Sequence, residues 1–275
     1  MKRFNTGDSQ VKPPVVMLVY GQGGVGKTTF GSTAPKPILM DCEYGSKYFG
    51  LRGIKLDVAL IESWKDVEEF FVELRKSEFE TVVIDPIGEL MEKLKAHMIA
   101  TRDPKLVQRD GSPTAAGWGW MKDKMRQFIK ATRDLGKHMI IVAHEDDKDD
   151  DGKLIKYPLI ETKLSKELVN LVDVVGYFTT VATPEGEDKR VIYVQPSEKY
   201  KAKDRTDQLG GVIEPDFTKI VNACQGNEVY AWSSEKAKEK AAKEEKAEEK
   251  VEEKEEKKEK KTKEAQDKLD KALEK

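Results

Sequence analysis

The sequence predicts an α/β protein in which helices flank a mainly parallel central sheet. Three observations carry this prediction. An apolar run leads directly into a glycine-rich loop, apolar runs alternate with helical patterns along residues 13–232, and several of these runs end in a polar or acidic residue. Alternation of strands and helices is typical of helices packed on a parallel sheet, whose carboxyl edge is the usual place for a ligand.

The first strand is predicted at residues 15–20, and the next nine residues fit Gly-x-x-x-x-Gly-Lys-Ser/Thr without a mismatch. This is a phosphate-binding P-loop, in which backbone N–H groups and the positive end of the following helix face a polyphosphate. Lys27 would reach the β- and γ-phosphates of ATP, and the Thr28 hydroxyl would reach Mg²⁺. The predicted nucleotide-binding residues are Gly21, Gln22, Gly23, Gly24, Val25, Gly26, Lys27, Thr28 and Thr29.

A second strand at 38–40 runs into Asp41-Cys42-Glu43, and a third is predicted at 58–61, before an amphipathic helix at 64–76. Glu43 would lie at the carboxyl edge of the sheet, where a carboxylate can deprotonate the water that attacks the γ-phosphate. Asp41 is an alternative, and either acid could instead cap a loop.

The strand at 81–85 is a buried apolar run that closes on Asp85, which is the Walker B pattern. A P-loop enzyme holds Mg²⁺ through a carboxylate of this kind, so Asp85 joins Thr28 as a predicted metal residue. Helices are predicted at 89–100 and 122–135.

A further strand, 138–144, ends in His144, which could donate a hydrogen bond to the γ-phosphate and sense its presence. A structural histidine with satisfied hydrogen bonds is the alternative. The runs 172–181 and 190–194 are typical of adjoining strands of a hairpin.

Two polar segments mix cations with aromatic residues, a combination that suits single-stranded nucleic acid. The first is 102–118, followed closely by Trp120, and the second is a predicted hairpin, 145–157, around residues 150–153. Five aspartates in the second segment oppose binding, and ordinary surface loops are the competing interpretation.

A cationic cluster follows at 199–205, with Lys201, Lys203 and Arg205 at alternating positions. Alternate residues of an extended segment point to one side. The cluster is either a solvated basic edge or a finger that reaches the nucleotide of a neighbouring subunit and takes part in catalysis.

The 275-residue chain has a net charge of only −2, so its composition does not indicate nucleic acid. Cys42 and Cys224 are far apart and are expected to be free thiols in a reducing compartment, the cytoplasm. No run of 18 apolar residues is present, so we expect no membrane partner.

Composition divides the chain into a flexible N-terminus at 1–12, a folded domain at 13–232 and a Lys/Glu-rich tail at 233–275. The tail has acidic and basic side chains in equal number and few large apolar residues, so it cannot bury a core. It is expected to be helical or disordered, and either solubilises the protein or binds a partner such as a single-strand-binding protein.

The order of these motifs resembles the RecA-type recombinase core, and more closely the short phage RecA-like ATPases grouped with single-strand annealing proteins. The strand 140–144 and the segment Lys201-Ala202-Lys203-Asp204-Arg205 carry the closer resemblance, which covers residues 13–225. It implies a homo-oligomeric ATPase, ring or filament, in the host cytoplasm, with Glu43 as catalytic glutamate, His144 as sensor and Lys201 and Lys203 as inter-subunit cations.

The helical DNA-binding domain of the larger recombinases has no counterpart here, which favours single-strand binding or annealing over strand exchange. The first alternative is a ParA/MinD-like partition ATPase, but Gln22 stands where that class has its signature lysine. The second is a structural protein that binds nucleotide without turnover.

Overall fold

A computed structural model describes residues 12–150, 152–161, 164–182 and 187–227. The chain divides into two compact units, Met1–Tyr230 and Ala231–Lys275. Residues 1–11 of the predicted flexible N-terminus and the whole predicted tail, 233–275, lie outside the described residues, so the division into a folded domain and a tail stays a prediction.

One sheet organises the described residues. Its strands are β1 (Val16–Gly21), β2 (Pro37–Asp41), β3 (Asp57–Leu60), β4 (Thr81–Asp85), β5 (His138–Asp150), β6 (Lys153–Leu159), β7 (Val174–Ala182), β8 (Asp188–Tyr193), β9 (Lys203–Asp204) and β10 (Val212–Ile213). The order across the sheet is β10-β8-β7-β1-β5-β4-β2-β3, with β6 paired to β5 and β9 to β7. The six strands from β7 to β3 are parallel, and the others are antiparallel.

Helices connect and cover the strands, which confirms the predicted α/β class with a mainly parallel sheet. They are α1 (Lys27–Gly31), α2 (Trp64–Leu74), α3 (Ile87–Ala100), α4 (Ala115–Asp134), α5 (Leu164–Leu171) and α6 (Phe217–Cys224). Two 3₁₀ turns, Gly45–Tyr48 and Gly50–Arg52, follow β2. None of the helices within the described residues has the length and apolar character needed to cross a membrane.

The sheet buries both of its faces, so its central strands are continuous apolar runs; all six residues of β1 are buried. Val16, Leu18 and Tyr20 belong to the large core that α2, α3, α4 and α5 share. The alternate residues point to the opposite face. There Phe30 of α1 makes edge-on ring contacts with Phe178 of β7, at 6.2 Å, and with Phe217 of α6, at 5.9 Å.

Of two local features, one differs from the predicted element and one agrees with it. Helix α4 begins at Ala115, seven residues before the predicted start, because the Thr114 hydroxyl caps it by accepting the Gly117 N–H at 3.0 Å. Trp118 and Trp120 therefore lie on a helix rather than in a loop, and both pack against the main core. The predicted hairpin at 145–157 is confirmed: β5 and β6 pair from His144↔Leu159 to Asp150↔Lys153.

Candidate active site

The order of the parallel strands brings the predicted catalytic segments to one edge of the sheet. Strand β1 pairs with β5 so that Gly21 lies opposite His144, and β2 pairs with β4 so that Asp41 lies opposite Asp85. Because β4 also pairs with β5, these four strand ends are neighbours. The P-loop, the turn that carries Glu43, Asp85 and His144 thus meet at the carboxyl edge.

The P-loop between β1 and α1 depends on glycine at both ends. A Cβ on Gly21 would lie 2.1 Å from the Phe178 carbonyl oxygen, so only glycine lets β1 approach β7 this closely. Gly26 has a φ of 105°, in the left-handed region that L side chains rarely adopt. Substitution at either glycine would therefore displace the loop that is predicted to hold the phosphates.

The Lys27 side chain is folded back onto its own loop. Its ammonium donates to the carbonyl oxygens of Gly21 and Gln22, both at 2.8 Å, and the residue is only 6% exposed. Burial lowers the pKa of Lys27, and the nearby Asp85 carboxylate opposes that shift. An anionic group at this position would satisfy a buried cation whose present acceptors are neutral carbonyls.

Asp85 fits a divalent cation. Burial raises the pKa of its carboxyl to about 6, although a hydrogen bond from the Thr28 hydroxyl opposes the shift. Its Oδ2 atom is buried and has no hydrogen-bond partner among the described residues. A cation at this oxygen would remove both costs, and a carboxylate beside a threonine hydroxyl is an oxygen donor set that Mg²⁺ accepts. The described residues contain no cluster of three or more His, Cys, Asp or Glu able to hold a metal by themselves. With a nucleotide bound, phosphate oxygens and water would supply the further ligands of Mg²⁺.

The two acids at the end of β2, Asp41 in the strand and Glu43 just after it, have different surroundings. The buried Asp41 carboxylate accepts the N–H groups of Glu43, Gly45 and Ser46 at 3.0–3.2 Å, and the Ser46 hydroxyl at 2.6 Å. Asp41 therefore holds the turn and has little capacity left to act as a base. The Glu43 carboxylate is 42% exposed, with Oε2 3.9 Å from Nε2 of His144.

A comparison with known families fits this geometry. Residues 13–206 match the family described as AAA domain. The chain belongs to the AAA domain family. The matched residues include the P-loop, Glu43, Asp85, His144 and the cationic cluster at 199–205. No curated protein matches the chain.

Among solved structures, the AAA domain chain is similar to a KaiC-like protein from the hyperthermophilic archaeon Pyrococcus horikoshii OT3. The two are 12% identical, the match covers 66% of this chain and 78% of the other, and the TM-score is 0.39.

The predicted finger residues of the AAA domain lie away from its own P-loop. Asp204 pairs with Val174 of β7, and Val174 in turn pairs with Met17 of β1. Met17 precedes Gly21 by four residues, so this level of the sheet is about 13 Å along the strand from the P-loop. Lys203 donates to the Val169 carbonyl oxygen at 2.6 Å, and Arg205 to that of Asn170 at 2.7 Å. These two cations therefore donate to carbonyl oxygens at the C-terminal end of α5 in the same chain. A role in a neighbouring subunit stays a prediction.

Lys201 differs from the other two finger residues. Its main chain is held tightly, because its N–H donates to the Tyr20 hydroxyl at 2.9 Å and its carbonyl oxygen accepts from that hydroxyl at 2.6 Å. Its side chain is exposed. Of these three cations, Lys201 is therefore the one best placed to reach beyond the chain.

The structure places two arginines beside the P-loop that the sequence does not single out. Arg52, from the second 3₁₀ turn, donates to the Thr29 hydroxyl at 3.3 Å. Arg190, from β8, lies against Gly26. Neither belongs to a motif, and each reaches the loop only because of the tertiary fold, so no local signal in the sequence could have found them.

The two segments predicted to bind single strands have unequal surfaces. Trp118 and Trp120 are covered by cations of the AAA domain itself, with Lys95 5.7 Å and Lys124 5.6 Å from their ring centres. The exposed cations of this segment are Arg102, Lys105 and Arg109. In the β5–β6 hairpin, Lys148 lies 5.2 Å from the ring centre of Tyr157, whereas Lys156 is paired with Glu145 and Asp147.

Proposed function

We propose that this AAA domain protein binds ATP with Mg²⁺ and hydrolyses it to ADP and phosphate, in the cytoplasm. The proposal rests on three side chains that meet at one edge of the sheet: a buried P-loop lysine, a buried Asp85 and an exposed Glu43 beside His144. One oxygen of Asp85 has no hydrogen-bond partner among the described residues. Binding, metal coordination and activation of water thus have separate side chains.

Each side chain has a defined task in this mechanism. Lys27 exchanges its bonds to the Gly21 and Gln22 carbonyls for phosphate oxygens, with no change in its charge. Asp85 and the Thr28 hydroxyl would hold Mg²⁺, which neutralises phosphate charge. Glu43 orients a water and takes its proton. His144, 3.9 Å from Glu43, links the position of the terminal phosphate to β5 and hence to the β5–β6 hairpin.

We further propose that the ATPase acts on single-stranded DNA in recombination or annealing, as a homo-oligomeric ring or filament. Support comes from the resemblance to the short phage RecA-like ATPases and from the exposed cations Arg102, Lys105 and Arg109. The Lys148–Tyr157 pair adds a cation beside an aromatic ring on the hairpin that begins at the active-site histidine. Phosphates would meet the cations, and bases would stack on the ring.

The test of the ATPase proposal is Lys27→Ala. Removing the ammonium should abolish turnover and weaken binding of Mg²⁺–ATP by at least about tenfold, because hydrogen bonds from a charged group contribute about 1.5–3 kcal/mol. Phosphate release and isothermal titration calorimetry measure the two effects. Arg133→Ala is the control, since the ion pair that this half-buried arginine of α4 makes within the described residues is with its neighbour Asp134.

Two results would contradict the proposal. If Lys27→Ala binds and hydrolyses ATP like the parent, the loop is not a nucleotide site. If the parent binds ATP but never turns it over, with or without DNA, the chain is a nucleotide-binding structural protein. Hydrolysis without any binding of DNA would instead favour the partition-type ATPase.

A further inference from the structure

A guanidinium group lies against the P-loop. A Cβ built on Gly26 would be 3.3 Å from Nη1 and 3.4 Å from Cζ of Arg190. Arg190 pairs across the sheet with Thr180, and two residues along each strand Ile192 pairs with Phe178. Because Phe178 packs on Phe30 of α1, Arg190 projects from the face of the sheet that carries the P-loop helix.

An open cavity of about 640 Å³ separates the P-loop from the β7–β8 hairpin. Gly23, Gly24 and Val25 line one side, and Thr180, Asp188 and Arg190 contribute to the other. Within the described part of the chain, no carboxylate forms an ion pair with Arg190, whereas its neighbour Lys189 lies 3.7 Å from Glu214. Among the described residues, Arg190 thus presents a cation without an ion-pair partner on a cavity that P-loop residues line.

We propose that Arg190 is a second phosphate-binding cation, supplied by the same chain as the P-loop. This inference rests on the proposed function, because it assigns a side chain to the triphosphate of the same site. A guanidinium suits the role, since its planar set of donors matches phosphate oxygens in pairs and it stays charged at any working pH. Lys27 is the only cation within the P-loop itself, so a triphosphate leaves charge for Arg190 to neutralise.

Inorganic tripolyphosphate tests this assignment directly, because it has the phosphates of ATP without the nucleoside. Calorimetry with Mg²⁺ should show Arg190→Ala binding tripolyphosphate and ATP more weakly than the parent, both by about tenfold, the lower range of a charged hydrogen bond. Arg190→Lys should recover part of the loss. Arg133→Ala should bind like the parent, and circular dichroism should show that all variants are folded.

The outcomes separate this inference from the proposed function. If the parent binds neither ligand, or if Lys27→Ala has no effect, the ATPase proposal itself fails. If Lys27→Ala loses binding while Arg190→Ala binds both ligands normally, only the role of Arg190 is wrong. A loss for ATP with none for tripolyphosphate would also overturn it, because Arg190 would then contact the nucleoside rather than the phosphates.

Discussion

At the residue scale, the most informative side chain is Asp85, because its position is unfavourable for the protein without ligand. Its carboxyl is buried, one oxygen has no partner among the described residues, and burial raises its pKa from 3.8 to about 6. A group whose pKa is higher in the folded state stabilises the fold below the unfolded pKa and loses that contribution as pH rises. Asp85 should therefore destabilise the unliganded protein progressively as pH rises from about 4 to about 6. Above pH 6 the loss of stability should stay constant.

The first prediction is that Asp85→Asn stabilises the unliganded protein. At pH 7.5 the neutral amide avoids burying a charge. Because the pKa of Asp85 is raised by about two units, the free energy of unfolding should increase by about 1–3 kcal/mol. The gain should shrink as pH falls to about 4, where the parent carboxyl is neutral. Denaturant unfolding across this pH range measures it.

The same variant should lose the benefit of Mg²⁺. Parent protein with ATP should be further stabilised by Mg²⁺, whereas Asp85→Asn should respond less, because it has lost the anionic oxygen. An unliganded variant that is no more stable than the parent at pH 7.5 would show that Asp85 is not strained by burial.

The second prediction separates Glu43 from Asp41. Glu43→Gln keeps size and hydrogen bonding but removes the base, so turnover should fall by about 10²–10⁴-fold while ATP affinity survives. Single-turnover kinetics and calorimetry measure the two quantities.

Asp41→Asn is the matched variant. Its amide can accept fewer of the four donors that now bind the carboxylate. It should therefore lower the free energy of unfolding, by about 1–3 kcal/mol, as well as turnover. Normal turnover in Glu43→Gln with an intact fold would assign the base to another group.

At the element scale, strands that alternate with helices could be predicted because their signals are local. The runs that became β1, β4 and the first half of β5 are mostly apolar, and the β5–β6 hairpin turns at a Gly-containing segment where the sequence predicts it. The start of α4 is harder to predict, because Gly117 and Gly119 weaken the helical pattern that follows the Thr114 cap. Gly117 has a tertiary role: a Cβ there would lie 2.3 Å from the Leu106 carbonyl oxygen, so glycine permits close packing.

The segment around β9 supports the third prediction, which concerns a site shared between subunits. The side chain of Lys201 is exposed, whereas the Lys203 ammonium bonds to carbonyls at the end of α5. If the segment is a finger for a neighbouring nucleotide, Lys201→Ala should suppress turnover without changing the melting temperature. Lys203→Ala should lower the melting temperature as well, since the Val169 carbonyl oxygen loses the ammonium that donates to it at 2.6 Å.

A mixing experiment shows which chain supplies the cation. Lys201→Ala protein has an intact Glu43, and Glu43→Gln protein has an intact Lys201, so a mixed interface can join the two. Phosphate release should recover in mixtures and reach a maximum at an intermediate ratio. If co-assembled mixtures stay inactive at every ratio, Lys201 does not act between subunits.

At the scale of the whole molecule, the sheet order decides what could be foreseen. The P-loop and Asp85 are motifs that a few adjacent residues define, so the sequence predicts them. The order β7-β1-β5-β4-β2 then assembles them with His144 and Glu43. Arg190 reaches Gly26 only because β7 lies beside β1 and β8 beside β7. Such proximity depends on which strands pair across the sheet, and a single sequence does not show these long-range pairings directly.

The last prediction tests whether this assembled molecule binds single-stranded DNA. Binding should require ATP or be strengthened by it, because His144 lies in β5, and the same strand continues into the β5–β6 hairpin. Fluorescence anisotropy with a labelled oligonucleotide, with and without ATP, should show an affinity that falls steeply with salt, since each neutralised phosphate releases counterions.

Changing Arg102, Lys105 and Arg109 together to Ala should weaken this binding at low salt. Each phosphate contact with a single strand contributes about 0.7 to the slope of log affinity against log salt concentration. If all three cations contact phosphates, the slope should become shallower by about 2. Replacing two cations outside both segments, the exposed Lys65 of α2 and the half-buried Arg133 of α4, should leave the slope unchanged. An equal loss in both variants would mean that DNA responds only to overall charge. No binding by the parent at low salt, with or without ATP, would remove DNA as the partner and leave the ATPase with a different role.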